Sequence, residues 1–120
     1  MARTVSLISD FGYRDFYAGA LKGAILKACG DVHIVDVSHG IAQGNLSEAA
    51  FALRSAYHHF PKGTIHIVSV NDEIDEYSRY LAIQHHDHFF IGADTGLFSL
   101  AFDTEPELAF EPALAQEQRT

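Results

Sequence analysis

Two strand–helix–strand units in succession, followed by a hairpin, predict an α/β fold: a three-layer α/β/α domain whose mainly parallel sheet is extended by the hairpin. Three observations carry this prediction. Short apolar runs recur at residues 4–9, 32–37 and 64–70. Segments with helical spacing of apolar side chains lie between them. Turn-forming residues separate each element from the next.

Residues 4–9 (TVSLIS) read as a buried strand, and Asp10-Phe11-Gly12-Tyr13-Arg14 as the loop beyond it. Asp15 is placed to cap a helix reaching about Cys29, with Ala18, Leu21, Ile25 and Ala28 on one face. Gly30 suits the left-handed position that ends such a helix. Residues 32–37 form the second strand and 38–44 a glycine-containing loop. Asn45-Leu46-Ser47-Glu48 has the spacing of a capping box, opening a helix through Ala49, Ala50, Leu53 and Tyr57. Pro61-Lys62-Gly63 turns the chain into the third strand, 64–70. An acidic loop covers 71–78, and residues 80–84 and 88–92 pair as a hairpin around His85-His86-Asp87. Residues 94–96 form a loop, and 107–110 a last short strand. From Asp103 onwards the periodicity is lost in a proline-containing acidic stretch.

A chain of 120 residues with 48 % hydrophobic content can bury one core, which excludes disorder and a disulfide-stapled miniprotein. Its one cysteine, Cys29, can form no internal disulfide, so a cytoplasmic protein is expected. The sequence shows neither an apolar run able to span a bilayer nor the apolar core of a signal peptide, so no membrane partner is expected. The net charge of −8 repels a phosphate backbone and argues against nucleic acid as a partner. The acidity is concentrated late: residues 1–70 hold six Lys/Arg and five Asp/Glu, residues 71–120 two and eleven. Such a stretch reads as a solvated face and tail.

In open α/β sheets ligands bind beyond the carboxyl ends of the strands. Polar residues gather at those ends: Asp10 after the first strand, Asp36, Ser38 and His39 at the second, Asn71 and Asp72 after the third, and Asp94-Thr95-Gly96 after the hairpin. A carboxylate so placed can grip both hydroxyls of a ribose, and the same cluster of acids could hold a divalent metal in a hydrolase. Generic phosphate-binding motifs and zinc-type cysteine pairs are absent. No nucleophilic triad is indicated, and Cys29 reads as a packing residue. His85-His86-Asp87-His88 reads as an exposed turn, because neighbouring side chains on a hairpin cannot all converge on one metal. His33, His58, His59 and His66 read as structural or exposed.

The stretch Ser9-Asp10-Phe11-Gly12-Tyr13-Arg14-Asp15-Phe16-Tyr17-Ala18-Gly19-Ala20-Leu21-Lys22-Gly23 resembles the opening signature of the S-adenosyl-L-methionine (SAM) hydroxide adenosyltransferase family, which includes SAM-dependent fluorinases and chlorinases. Ile34-Val35-Asp36-Val37-Ser38-His39-Gly40-Ile41 is similar to the family's second strand and loop. Glu48-Ala49-Ala50-Phe51-Ala52-Leu53-Arg54 and Phe60-Pro61-Lys62-Gly63-Thr64-Ile65-His66 resemble its second helix and third strand. Phe90-Ile91-Gly92-Ala93-Asp94-Thr95-Gly96-Leu97 resembles a later motif in which Thr95 replaces the usual Asn. The likeness covers residues 4–102, with four motifs in the family's order.

This resemblance implies that residues 1–102 are the N-terminal α/β domain and residues 103–120 a connector towards a C-terminal β domain. It implies SAM as substrate, no cofactor, no metal, and a homotrimer. Hydroxide or halide attacks C5′ of the ribose, methionine leaves, and adenosine or a 5′-halo-5′-deoxyadenosine results. By motif position, Asp10 and Phe11 fall in the substrate-binding loop, with Asp10 on the ribose hydroxyls. Asp15 approaches the methionine end of SAM, and Asp94 and Thr95 lie close to the ligand. Where hydroxide-type members carry an Asp and then an Arg that position and activate water, this chain has Asn71 and Ser78, with Arg79 adjacent. Asn71 and Arg79 are thus the catalytic candidates, and an amide at 71 cannot accept a proton as a carboxylate does. A SAM- or adenosine-binding module without turnover is the alternative.

Overall fold

The computed structural model describes residues 3–70, 80–93, 95–102 and the strand 108–110. Strand and helix alternate as the periodicity predicts. β1 (Arg3–Ser9), α1 (Tyr17–Cys29), β2 (Val32–Ser38), α2 (Leu46–Ala56) and β3 (Ile65–Ser69) come first. The hairpin β4 (Tyr80–His85) and β5 (His88–Ala93), a short helix α3 (Leu97–Ala101) and β6 (Leu108–Phe110) follow. The strands form one six-stranded sheet in the order β2-β1-β3-β5-β4-β6. The pairs β1–β2, β1–β3 and β3–β5 are parallel, whereas β4 runs antiparallel to β5 and β6.

The chain crosses the sheet in opposite directions in its two units, from β1 outward to β2 and then back past β1 to β3. One crossover hand therefore puts α1 and α2 on opposite faces. Two apolar clusters follow from this. On one face Ile25 of α1, with Leu21, packs on Val5 and Leu7. On the other, Ala49, Ala50 and Leu53 of α2 and Leu97, Phe98 and Ala101 of α3 pack on Ile8, Val68 and Phe90. The alternation within β1 divides its side chains between the two.

Local chemistry explains most boundaries. Asn45 caps α2, its side chain accepting the Glu48 amide at 3.0 Å, as the capping-box spacing predicts. The β4–β5 turn is carried by His86 (φ 50°) and Asp87 (φ 65°), both left-handed, as in the two-residue turns whose twist suits a hairpin. Gly92 lies so close to its neighbours that a Cβ there would stand 3.0 Å from the Val68 carbonyl oxygen and 3.1 Å from Phe98 Cζ.

Several expectations are corrected. Asp15 does not cap α1: the capping position is Phe16, without a side-chain hydrogen bond, and Asp15 instead accepts the Phe16 amide at 2.7 Å. Ala28 and Cys29 are exposed, so the buried stripe of α1 ends at Ile25 and Cys29 does not pack. The helix α3 was not expected after residues 94–96, because five residues are too few to show a period. The histidine cluster is only half a surface turn. His86 and Asp87 are exposed, but His85 and His88, paired across the hairpin, are buried. No helix among the described residues is long and apolar enough to cross a membrane.

Candidate functional site

The reversal of strand order around β1 creates a switch point at the carboxyl ends of β1 and β3, where the loops leave in opposite directions. Asp10, the first residue beyond β1, stands there. Its amide donates to the Ser69 carbonyl at the end of β3 (3.3 Å). Its Oδ2 accepts the amide of Gly44, from the loop before α2, at 2.8 Å. Gly44 has φ 72°, a conformation open to glycine that turns its N–H towards this carboxylate.

The loop after Asp10 is tied to the end of β2. Gly12 donates its amide to the His39 carbonyl (2.7 Å), and the His39 amide donates to the Tyr13 hydroxyl (2.8 Å). The Tyr13 and His39 rings meet edge-on at 5.8 Å. Phe11 is half-buried and its ring lies 6.1 Å from that of Tyr17, on which Phe16 stacks at 4.5 Å. Tyr13 and Phe16 are each 70 % exposed, so an aromatic rim faces solvent beside the Asp10 loop. Asp15 is exposed on the same segment. Thr95 follows β5 at this end of the sheet, half-buried, its amide donating to the Ala93 carbonyl at 2.9 Å. The structure thus places Asp10, Phe11, Asp15 and Thr95 at one end of the sheet. Asn71, Arg79 and Asp94 lie outside the described residues.

Beneath this loop runs a chain of side chains that sequence reasoning did not assemble. Lys22 Nζ donates to Asp36 Oδ2 (2.5 Å), Asp36 Oδ1 meets His39 Nε2 (2.7 Å), and His39 Nδ1 meets the Ser9 hydroxyl (2.5 Å). Ser9 Oγ also accepts the Phe11 amide at 3.3 Å. Burial alone would raise the Asp36 pKa. The hydrogen bonds from Lys22 and His39, with the Lys22 charge, outweigh it and hold the carboxyl below its usual range. Ser–His–Asp adjacency here does not make a nucleophile: Ser9 has no solvent exposure, so no substrate reaches its oxygen. The signal in the sequence was weak, because it lay in strand pairing. An extra residue, Val37, enters β2 between the pairs Leu7↔Asp36 and Ile8↔Ser38, and this shift carries His39 alongside Ser9.

A metal reading of the acids gains no support, since Asp36 is taken up by Lys22 and His39. Among the described residues no group of three or more His, Cys, Asp or Glu is arranged to hold a metal ion. What the site offers is a fixed carboxylate at a switch point, able to accept hydrogen bonds from a polar ligand, with aromatic surface beside it.

Comparison with known proteins gives a consistent result. Residues 5–119 match the family model for the SAM hydroxide adenosyltransferase N-terminal domain. The chain is 31 % identical over 100 residues to a (R)-S-adenosyl-L-methionine hydrolase of Methanocaldococcus jannaschii, covering 79 % of this chain and 38 % of that protein. It is 30 % identical over 104 residues to the hydrolase of the same name from Thermus thermophilus, covering 87 % and 40 %. A fluorinase of Actinopolyspora mzabensis is 28 % identical over 80 residues, 67 % of this chain and 27 % of that one. Among solved structures, a conserved hypothetical protein of Thermus thermophilus superposes with a TM-score of 0.78 at 31 % identity, over 95 % of this chain and 49 % of that one. A conserved protein of Thermotoga maritima shares the fold with a TM-score of 0.82 at 21 % identity, over 89 % and 41 %. The chain therefore spans well under half the length of the curated relatives it matches.

Proposed function

The chain belongs to the SAM hydroxide adenosyltransferase family, as its N-terminal domain, and from that premise we propose that it supplies the ribose-binding half of a site that cleaves SAM. The observation that carries this reading is Asp10, held by the Gly44 amide and by β3 at the switch point. A carboxylate there accepts hydrogen bonds from both ribose hydroxyls and so fixes C5′ of the sugar. By motif position Asp15 lies towards the methionine end of the substrate and Thr95 beside the ligand.

The chemistry asks little acid catalysis of the protein, because a sulfonium is already a good leaving group. Hydroxide or halide adds to C5′, the C5′–S bond breaks, and its electron pair leaves with methionine. The domain's task is alignment of the nucleophile with the C5′–S bond and removal of water from it. The aromatic rim of Tyr13 and Phe16 offers apolar cover for that purpose. A second, β-type domain completes the pocket, in a trimer. Hydroxide is the nucleophile this reading favours, since two relatives at 30–31 % identity carry the name hydrolase.

A second reading, binding without turnover, is favoured by one observation: Asn71 stands where hydroxide-type members carry Asp. One experiment separates the two. The chain is incubated with SAM, with and without chloride, and products are followed by mass spectrometry beside a calorimetric SAM titration. Adenosine and methionine, lost in Asp10→Ala, support turnover by hydroxide, and a chlorinated nucleoside would mean halide transfer. Saturable binding with unchanged SAM selects the second reading. Absence of both binding and product in the chain alone refutes binding by this half-site on its own, and absence of both in a protein that also carries the second domain refutes the ribose-binding role of Asp10.

A further inference from the structure

We propose that His39 is a positioning residue for Asp10, acting through the buried Ser9 hydroxyl and itself oriented by Asp36 and Lys22. The proposal rests on the ribose-binding role of Asp10 given above.

Donor and acceptor roles fix the direction of the chain. Asp36 Oδ1 is an acceptor, so the tautomer it selects carries its proton on Nε2, which donates to it. That leaves Nδ1 as an acceptor, and the Ser9 O–H donates to it. With its proton committed, the Ser9 oxygen is the acceptor for the Phe11 amide. One oxygen thus joins the residue before Asp10 to the amide after it. The backbone of His39 grips the same loop twice more, through Gly12 and Tyr13. His39 and Ser9 are 2 % and 0 % exposed, so water cannot replace these bonds when one is removed. Lys22 and Asp36 are about one-third exposed, and their ion pair adds little stability by itself. Its effect is to hold the carboxylate on the imidazole and so select the tautomer. The arrangement inverts that of a hydrolytic triad, where Nε2 faces the serine. Here the serine faces inward and its partner is a backbone amide.

The consequence for the site is selective. Loss of the His39 imidazole frees the Ser9 hydroxyl to rotate and releases the Phe11 amide. The Asp10 carboxylate, set between them, then loses its fixed orientation towards a sugar diol. A ligand without that diol is held equally well before and after.

The test measures affinities of the chain for adenosine and for 2′,3′-dideoxyadenosine by calorimetry, in the native protein, His39→Ala, His39→Asn and Ser9→Ala. The native chain is expected to prefer adenosine by at least about tenfold, the worth of one hydrogen bond to a charged group. In His39→Ala that preference falls to within about twofold while dideoxyadenosine binding is retained. A general loss of fold would weaken both ligands together. His39→Asn keeps an acceptor near the Nδ1 position and recovers part of the preference. Ser9→Ala removes only the link and gives the same loss, and it carries the test should His39→Ala fail to fold. In the Asp10→Ala background, His39→Ala lowers adenosine affinity no further. A native-sized preference in folded His39→Ala or Ser9→Ala overturns the proposal while leaving Asp10 as ribose ligand. Absence of any preference both in the native chain and in a protein that also carries the second domain refutes the Asp10 role first, and this proposal with it.

Discussion

Acidification should destabilise this domain through one buried imidazole. His66, in β3, has no solvent exposure. Its Nδ1 lies 2.6 Å from Ser6 Oγ, its Nε2 lies 3.1 Å from His88 Nδ1, and its ring stacks on Phe90 at 5.0 Å. Burial, and secondarily the nearby His88, lower its pKa from 6.5 to about 4. The folded state therefore resists a proton that the unfolded chain accepts. Stability from this residue is complete above about pH 6.5 and is lost as pH falls towards 4. The whole effect corresponds to about 3 kcal/mol, of which about 2 kcal/mol is gone at pH 5. His88 shifts in the same direction by burial, opposed by Asp87, and steepens the loss. Urea unfolding followed by circular dichroism, at pH 7.5 and pH 5, measures it. The many carboxylates also begin to titrate near pH 5, so the comparison is with His66→Gln, whose stability should fall by about 2 kcal/mol less over the same interval. Direct titration of the His66 ring by NMR gives a second readout. Parallel losses in the two proteins, or a His66 pKa near 6.5, would refute the reasoning.

Other substitutions probe the elements that position the site. Asn45→Ala removes the cap of α2 and should cost about 1 kcal/mol in unfolding experiments. Gly92→Ala forces a methyl against the Val68 carbonyl and Phe98 and should cost about 1–3 kcal/mol. Unchanged stability would mean that β5 and α3 separate more easily than their packing implies. Asp87→Gly relieves a left-handed residue in the hairpin turn and should raise stability by about 0.5–1 kcal/mol, read as an increase in Tm. A decrease would show that the Lys62–Asp87 pair outweighs the turn geometry.

Much of this fold was legible because apolar side chains repeat with the period of the element that carries them. Ile25 and Leu53 announce their helices, and the strand-end position of Asp10 follows from where the first apolar run stops. What stayed hidden depends on pairing between distant segments. Ser9, His39 and Lys22 are unremarkable polar residues until β1, β2 and α1 are assembled. Burial of His85 and His88 follows from their being directly opposed across a two-residue turn, which places both side chains on one face. Asp15 misled because a carboxylate before a helix is a good cap only if the chain turns at that residue, and here it turns one residue later.

The two buried serines of β1 also bear on how the sheet finds its alignment. Sliding β1 by two residues between β2 and β3 would keep every apolar side chain on its proper face, so hydrophobic burial alone barely distinguishes that arrangement. Ser6, however, is the register partner of His66, and Ser9 reaches His39 on the opposite neighbour. A two-residue slip would strand both hydroxyls and both imidazoles in the interior, where each unmatched group is penalised by about 1–3 kcal/mol. Polar pairs at the middle and the carboxyl end of one central strand therefore act as a vernier. They reject the alignments that the apolar pattern tolerates, and so decide which residue ends up at the rim where Asp10 stands.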